Sequence, residues 1–289
     1  MNATTSADKR QELRCLLKGA TISIAPGAAD VLTARLIAQL DYRAVYLSGS
    51  LQHAMRGYAD INALTMSEMV QTSHNVAGEI AIPCIADAET GFGTEINVRR
   101  TVREFERAGV AGIHIEDSTV PKRPARLGFE SPTVSTAEFL DKIKTALDAR
   151  IDQSLVLVAR SELRGNDEEK IGRLHGALEL GADAFWVGGF SPEQVKKVCR
   201  QFQKPALAVL PKTMSAEQFG ALGPQLLVVP GALAVAGLIA QRALLEDMKT
   251  SGSWSAWLER QPGYKVANDY YNGQGLADAR GGSGRQIAS

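Results

Sequence analysis

Two short apolar runs in this chain end in acids. Residues 85–93 read IADAETGFG and carry Asp87 and Glu89, and residues 112–117 read GIHIED and carry Glu116 and Asp117. Carboxylate oxygens are hard ligands, and several converging on one point make a seat for a divalent cation. A third run, 155–159, is followed by Arg160, whose planar, permanently charged fork suits bidentate recognition of a carboxylate. A fourth leads into Ser48-Gly49-Ser50, a small-residue turn whose backbone amides can cradle an anion. Acids for a cation, with an arginine and amides for an anion, suit a small dicarboxylate or keto acid chelated to Mg2+. His114 lies inside the second run as a candidate catalytic group, although a lone strand histidine is also a common core residue. His53, His74 and His175 have no motif around them.

One acid past a strand is often only a helix cap or a surface charge. Four of them mean more if two neighbouring strands deliver them at the same end, so the elements decide. Eight apolar runs recur, at 23–25, 44–47, 84–86, 112–115, 155–159, 184–187, 206–210 and 226–229. They are continuous rather than alternating, as in parallel strands buried on both faces. Amphipathic segments are expected to be helical at 8–17, 28–40, 66–79, 94–108, 135–149, 167–180, 191–202, 215–221 and 231–248. In 94–108 the expected apolar stripe is Ile96, Val98, Val102, Phe105 and Ala108. Gly109 and Gly181 stop helices, Ser191-Pro192 starts one, and Ser135 stands three residues before Glu138 as in a capping box.

So regular an alternation predicts an α/β chain folded as a (β/α)8 TIM barrel, with a doubly wound open sheet as the alternative. In a barrel, residues at the C-terminal strand ends face the active site, and every group singled out above sits there. The expected organisation is a barrel with an N-terminal helix over residues 1–250 and an extension over 251–289. The extension carries Trp254, Trp257, Tyr264, Tyr270 and Tyr271, and its last stretch, ADARGGSGRQIAS, is expected to be disordered. The segment 117–132, DSTVPKRPARLGFESP, is long and polar, the mark of a binding loop or lid.

Thirty-two basic residues balance 32 acidic ones, and no Lys/Arg-rich stripe points to nucleic acid or an anionic membrane. Cys15, Cys84 and Cys199 form neither a CxxC pair nor an even framework, which fits a reducing compartment. With no signal-peptide layout and no apolar run of about 18 residues, the expected location is cytoplasmic.

Taken together, IADAETGFG and NVRRTVREFERAGVAGIHIEDSTVPKR resemble the isocitrate lyase and phosphoenolpyruvate mutase superfamily. The resemblance implies a (β/α)8 barrel with a swapped eighth helix, assembled as a homodimer or homotetramer. It implies Mg2+, with Mn2+ as a substitute, and an α-keto or α-hydroxy acid whose C3 bond breaks to leave an enolate. It assigns the metal site to Asp87, Glu89, Glu116 and Asp60, with Glu89 where the family commonly has Asp. It also assigns the substrate carboxylate to Ser48, Gly49 and Arg160, and a gating-loop role to Lys122.

Departures from the family narrow the reaction. Methylisocitrate-type lyases carry a Cys-Gly-His in the gating loop and phosphonopyruvate enzymes a Lys-Thr-Asn. Here the loop reads Lys122-Arg123-Pro124-Ala125-Arg126, and proline has no proton to give. The family's oxaloacetate decarboxylase branch also lacks the loop cysteine, and decarboxylation of oxaloacetate to pyruvate and CO2 needs little beyond charge stabilisation. That branch carries a tyrosine and a histidine where Pro211 and Ala232 stand here, so the assignment is by elimination. The alternatives are a phosphonopyruvate hydrolase or mutase, a methylisocitrate-lyase-like C–C lyase, and a non-catalytic barrel that binds a keto acid.

Overall fold

A computed structural model describes residues 4–124 and 127–271. Ala125, Arg126 and the ADARGGSGRQIAS stretch lie outside the described residues. Eight parallel strands, β1 (Ser23–Pro26), β2 (Val45–Leu47), β3 (Cys84–Asp87), β4 (Gly112–Glu116), β5 (Val156–Arg160), β6 (Ala184–Trp186), β7 (Ala206–Val209) and β8 (Leu226–Val229), form one sheet in the order β1-β8-β7-β6-β5-β4-β3-β2. A single parallel bridge between Gly27 and Tyr46 joins β1 to β2 and closes the (β/α)8 barrel. Glycine is needed at that closure, because a Cβ at Gly27 would lie 2.0 Å from the Pro230 carbonyl oxygen.

Each expected run becomes a strand because its residues pack on both faces. Inward-facing Tyr46, Ile85, Val156, Val158, Trp186, Leu207, Leu226 and Val228 fill the barrel lumen. Outward-facing Val45, Leu47, Ile113, Ile115, Leu157, Phe185 and Leu227 meet the surrounding helices. Helix α1 (Ser6–Lys18) adds Leu13, Leu16 and Leu17 to the lumen cluster. It is pinned by Arg10, which donates to the carbonyls of Glu106 and Val110 and to Asp152.

The crossover helices include α2 (Val31–Gln39), α3 (Gly49–Met55), α4 (Met66–Glu79), α5 (Glu95–Arg107), α6 (Thr136–Ala149), α7 (Asp167–Glu179), α8 (Pro192–Phe202) and α9 (Ala216–Gly220). The Ser135 hydroxyl accepts from Glu138 N–H, one half of the expected capping box, while the Glu138 carboxylate faces Lys142; Ser191 and Gln194 cap each other in full. In α5, Val98, Thr101, Val102 and Phe105 are buried, but Ile96 is 83% exposed. At about 100° per residue, two positions before Val98 is nearly the opposite face of the helix. Helix α3 was expected to be a turn; Ser48 caps it by accepting from Leu51 N–H at 3.4 Å.

Residues Thr4–Pro230 form one compact unit and a second begins at Gly231. Within the second, α10 (Ala232–Ser251), α11 (Ser255–Glu259) and α12 (Tyr264–Tyr271) have no buried residue. Its aromatics pack on one another, Trp254 and Trp257 meeting Tyr264 edge-on at 5.7 and 6.4 Å. No helix among the described residues is long and apolar enough to cross a membrane.

Candidate active site

Strand parity sorts the opening acids. Successive strand side chains alternate between faces, so Asp87, His114, Glu116 and Arg160 share the lumen side at the C-terminal mouth. Asp117 follows Glu116 and turns outward. It accepts from the Ser161 hydroxyl, the Glu162 N–H and Arg173, and is not part of the acid cluster.

The cluster itself is buried and dense in charge. Asp87 accepts from the N–H groups of Glu89 (2.9 Å) and Gly49 (3.2 Å). Lys122 reaches in from the loop after β4 and places its Nζ 2.7 Å from Glu89, 3.1 Å from Glu116 and 3.3 Å from Asp60. Arg160 lies 3.4 Å from Asp87 and 3.1 Å from Glu116, with its guanidinium over the Trp186 ring. Of the residues expected from the sequence, Asp60, Asp87, Glu89, Glu116, Lys122, His114 and Arg160 meet here. Ser48, Gly49 and Ser50 border them through the Gly49 contact.

Glu89 adopts a φ of +53°, a left-handed conformation uncommon for a residue with a Cβ. Such strain costs about 1–3 kcal/mol and persists only where surroundings enforce it. Here the Glu89 N–H is held by Asp87 and its carbonyl accepts from Glu116 N–H, both at 2.9 Å.

Burial and neighbouring charge set the protonation states. Burial opposes ionisation of Asp87, but the adjoining His114 ring and the charges of Arg160 and Lys122 hold it well below the usual carboxylate range. Burial also opposes ionisation of Glu116, and Arg160 and Lys122 outweigh it. Glu89 is pushed up to about 8, first by burial and then by Asp87, against the pull of Lys122. Burial brings His114 down to about 4, so the ring is neutral near pH 7. Tyr46 is pushed well above its ordinary value, mainly by burial, and keeps its proton. The Tyr46 hydroxyl therefore donates to His114 Nε2 at 2.8 Å, which leaves the imidazole proton on Nδ1, 3.5 Å from Asp87.

A hard divalent ion fits this donor set. Glu89 Oε1 is buried and accepts no hydrogen bond, the Glu116 oxygens are buried and held through the charges of Lys122 and Arg160, and an oxygen-only cluster matches the preference of Mg2+. His53 Nδ1, Asp60 and Glu89 also converge within 4.8 Å. The histidine is spent elsewhere, however. Its Nε2 accepts Leu64 N–H at 3.2 Å and its Nδ1 donates to the Gly49 carbonyl at 2.8 Å.

Several contributors had no sequence signal. Asn62 donates to Glu89 at 3.2 Å and accepts the Lys122 N–H at 2.6 Å, bridging partners 27 and 60 residues away. Tyr46, His53 and Glu162 likewise act through partners that only the fold brings near.

A closed eight-stranded barrel with buried acids, an arginine and a loop lysine at its C-terminal mouth belongs to the class of barrel enzymes. The chain belongs to the phosphoenolpyruvate phosphomutase family, which matches over residues 13–249. It is 39% identical to 2,3-dimethylmalate lyase of Eubacterium barkeri over 193 residues, spanning 65% of each chain. It is 32% identical to 2-methylisocitrate lyase of Aeropyrum pernix over 86% of this chain and 82% of that one. Oxaloacetate decarboxylase of Pseudomonas entomophila is 32% identical over 76% of this chain and 78% of its own. Among solved structures, phosphoenolpyruvate phosphomutase from Streptomyces platensis superposes with a TM-score of 0.85 at 26% identity, covering 93% of this chain and 97% of that one. Phosphonopyruvate hydrolase in complex with oxalate and Mg2+ does so at 0.82 and 26%, covering 94% and 98%.

Proposed function

We propose that this chain is a Mg2+-dependent carbon–carbon lyase that acts on a small α-keto acid through an enolate, with oxaloacetate decarboxylation as the leading reaction. The observation that carries the reading is the convergence of Arg160 with the buried carboxylates of Glu89 and Glu116, Glu89 Oε1 accepting no hydrogen bond, on one region. Asp87, Glu89, Glu116 and Asp60 would hold the metal ion. When bound, Mg2+ would polarise the keto oxygen and offset the negative charge that builds there.

In oxaloacetate the C3–C4 bond breaks, CO2 leaves, and the electron pair moves to the C2 oxygen. Arg160 supplies fixed positive charge where that oxyanion develops, and its surroundings keep it ionised. Ser48 and Gly49 seat the substrate carboxylate, and Lys122 closes over the site from the loop. Protonation of C3 falls to water, because Pro124 and the strand ends at Gly188, Gly189 and Pro211 carry no acid.

A cavity of about 650 Å³ beside Arg160 favours a second reading. Its walls include Trp186, Phe190, Pro211, Met214 and Phe219. At no more than the ~30 Å³ of a water molecule per heavy atom, oxaloacetate leaves more than half of it unfilled. That supports cleavage of an acid with an apolar branch at C3. For assembly we propose a homo-oligomer that covers α10, whose Leu233, Val235, Leu238 and Ile239 are 40–67% exposed. Light scattering tests this, and a monomer would refute it.

Turnover of oxaloacetate, alkylated malates and phosphonopyruvate, each with and without Mg2+, tests the reaction. Pyruvate formation from oxaloacetate that EDTA abolishes is expected. Retained oxalate binding with no turnover of any of the three would assign the chain to a keto-acid-binding barrel instead.

A further inference from the structure

Asp117 and Glu162 take no part in the cation seat, yet both are tied to Arg160. Asp117 is fully buried, and its donors come from the segment after β5 and from α7. The Ser161 hydroxyl donates at 2.5 Å, the Glu162 N–H at 2.7 Å and Arg173 at 2.9 Å. The Leu163 N–H in turn donates to the Ser161 oxygen at 3.3 Å. The backbone next to Arg160 is therefore clamped by an acid from the neighbouring strand.

Glu162 then turns back on Arg160. Its Oε1 accepts from Nε–H at 2.7 Å and lies at the same distance from an Nη of the guanidinium as an ion pair. The remaining ion-pair contacts of Arg160 go to Asp87 and Glu116, the acids that a bound cation would engage, and Trp186 covers one face of the guanidinium. Once those charges are shared with a cation, Glu162 is the carboxylate still dedicated to fixing the guanidinium plane. A long side chain ordered in advance spares substrate binding the entropy of ordering it.

We propose that Glu162 is a positioning residue that sets the orientation of Arg160, and that Asp117, through Ser161 and the Glu162 backbone, is its buried anchor. This rests on the reading of Arg160 as the substrate clamp. It gives Asp117 a task that its place beside Glu116 in the sequence does not suggest.

Two measurements test it on the full chain. The first needs no substrate: exchange of the Arg160 Nε–H, followed by 15N NMR in EDTA and assigned by its loss in Arg160→Lys. Glu162→Ala should speed that exchange by roughly tenfold or more, and Glu162→Asp should restore part of the protection. The second is kinetic. With Mg2+ saturating, Glu162→Ala should weaken oxalate binding and lower kcat/KM by roughly 10- to 100-fold, with the urea midpoint unchanged because Glu162 is partly exposed. Ser161→Ala should give a smaller loss that does not add to that of Glu162→Ala, since both act by one route.

Unchanged Nε–H exchange in Glu162→Ala and Glu162→Gln would overturn the positioning role. Full additivity of the two losses would overturn the anchor. If the wild type turns over no acid, the proposed reaction fails, and the NMR measurement still decides the role of Glu162.

Discussion

Lys122 is the internal counterion of the acid cluster, and removing it puts that account at risk. Its Nζ lies within 3.3 Å of Glu89, Glu116 and Asp60, and the side chain is only 4% exposed. Lys122→Met keeps much of the volume and deletes the charge. Stripping one partner from a buried ion pair costs about 3–5 kcal/mol. The lower end applies here, because Glu89, pushed up to about 8, is already largely protonated at pH 7, so fewer full charges lose their partner. In EDTA at pH 7 the variant should therefore unfold in urea with a stability about 3 kcal/mol below wild type. Mg2+ supplies the missing charge, so the gap should narrow as it is added. At 100 times its Kd a ligand contributes about 2.7 kcal/mol, enough to recover most of the loss, and the variant should gain more than the wild type because no ammonium competes for the oxygens. Equal stability in EDTA, or a gap that Mg2+ leaves unchanged, would refute the reasoning.

Three further outcomes are expected. His114 is depressed to about 4, so its contribution is complete above pH 6.5 and is lost as pH falls toward 4, because the unfolded chain takes a proton that the folded one refuses. Wild type in EDTA should thus lose up to about 3 kcal/mol relative to His114→Asn over that window, read as the change in their urea-midpoint difference between pH 7.5 and 4.5. Gly49→Ala would put a Cβ 2.1 Å from Glu89 Oε1 and 2.8 Å from Asp87 Oδ2, so Mn2+ titration by EPR should show at least a tenfold weaker site, about 1.4 kcal/mol. Phe105→Ala empties a fully buried position remote from the mouth and should cost about 3–5 kcal/mol in urea without changing Mn2+ affinity.

The barrel was legible because continuous apolar runs and amphipathic helices are local signals. All eight runs became strands, with ends moved by a residue or so, and the acids and Arg160 emerged at the expected mouth. What the pattern concealed was long-range. Asp117 looked like a partner of Glu116 because adjacency in sequence hides strand parity. Ser48-Gly49-Ser50 read as a turn although it begins a seven-residue helix, since position 51 is leucine and completes no capping box. Asn62 gave no hint because its two partners lie in other segments of the chain.

The back-to-back acids of β4 also bear on folding fidelity. Sliding that strand by one residue against β3 or β5 would turn Asp117 into the lumen and point Glu116 toward the helices. One acid would then take the other's place beside its cations while the second is buried away from any partner, at a cost of several kcal/mol. The flanking isoleucines at 113 and 115 would also exchange faces with His114. A misaligned barrel is therefore penalised in charge as well as in packing, and Glu116-Asp117 acts as a register mark that the assembling sheet must match.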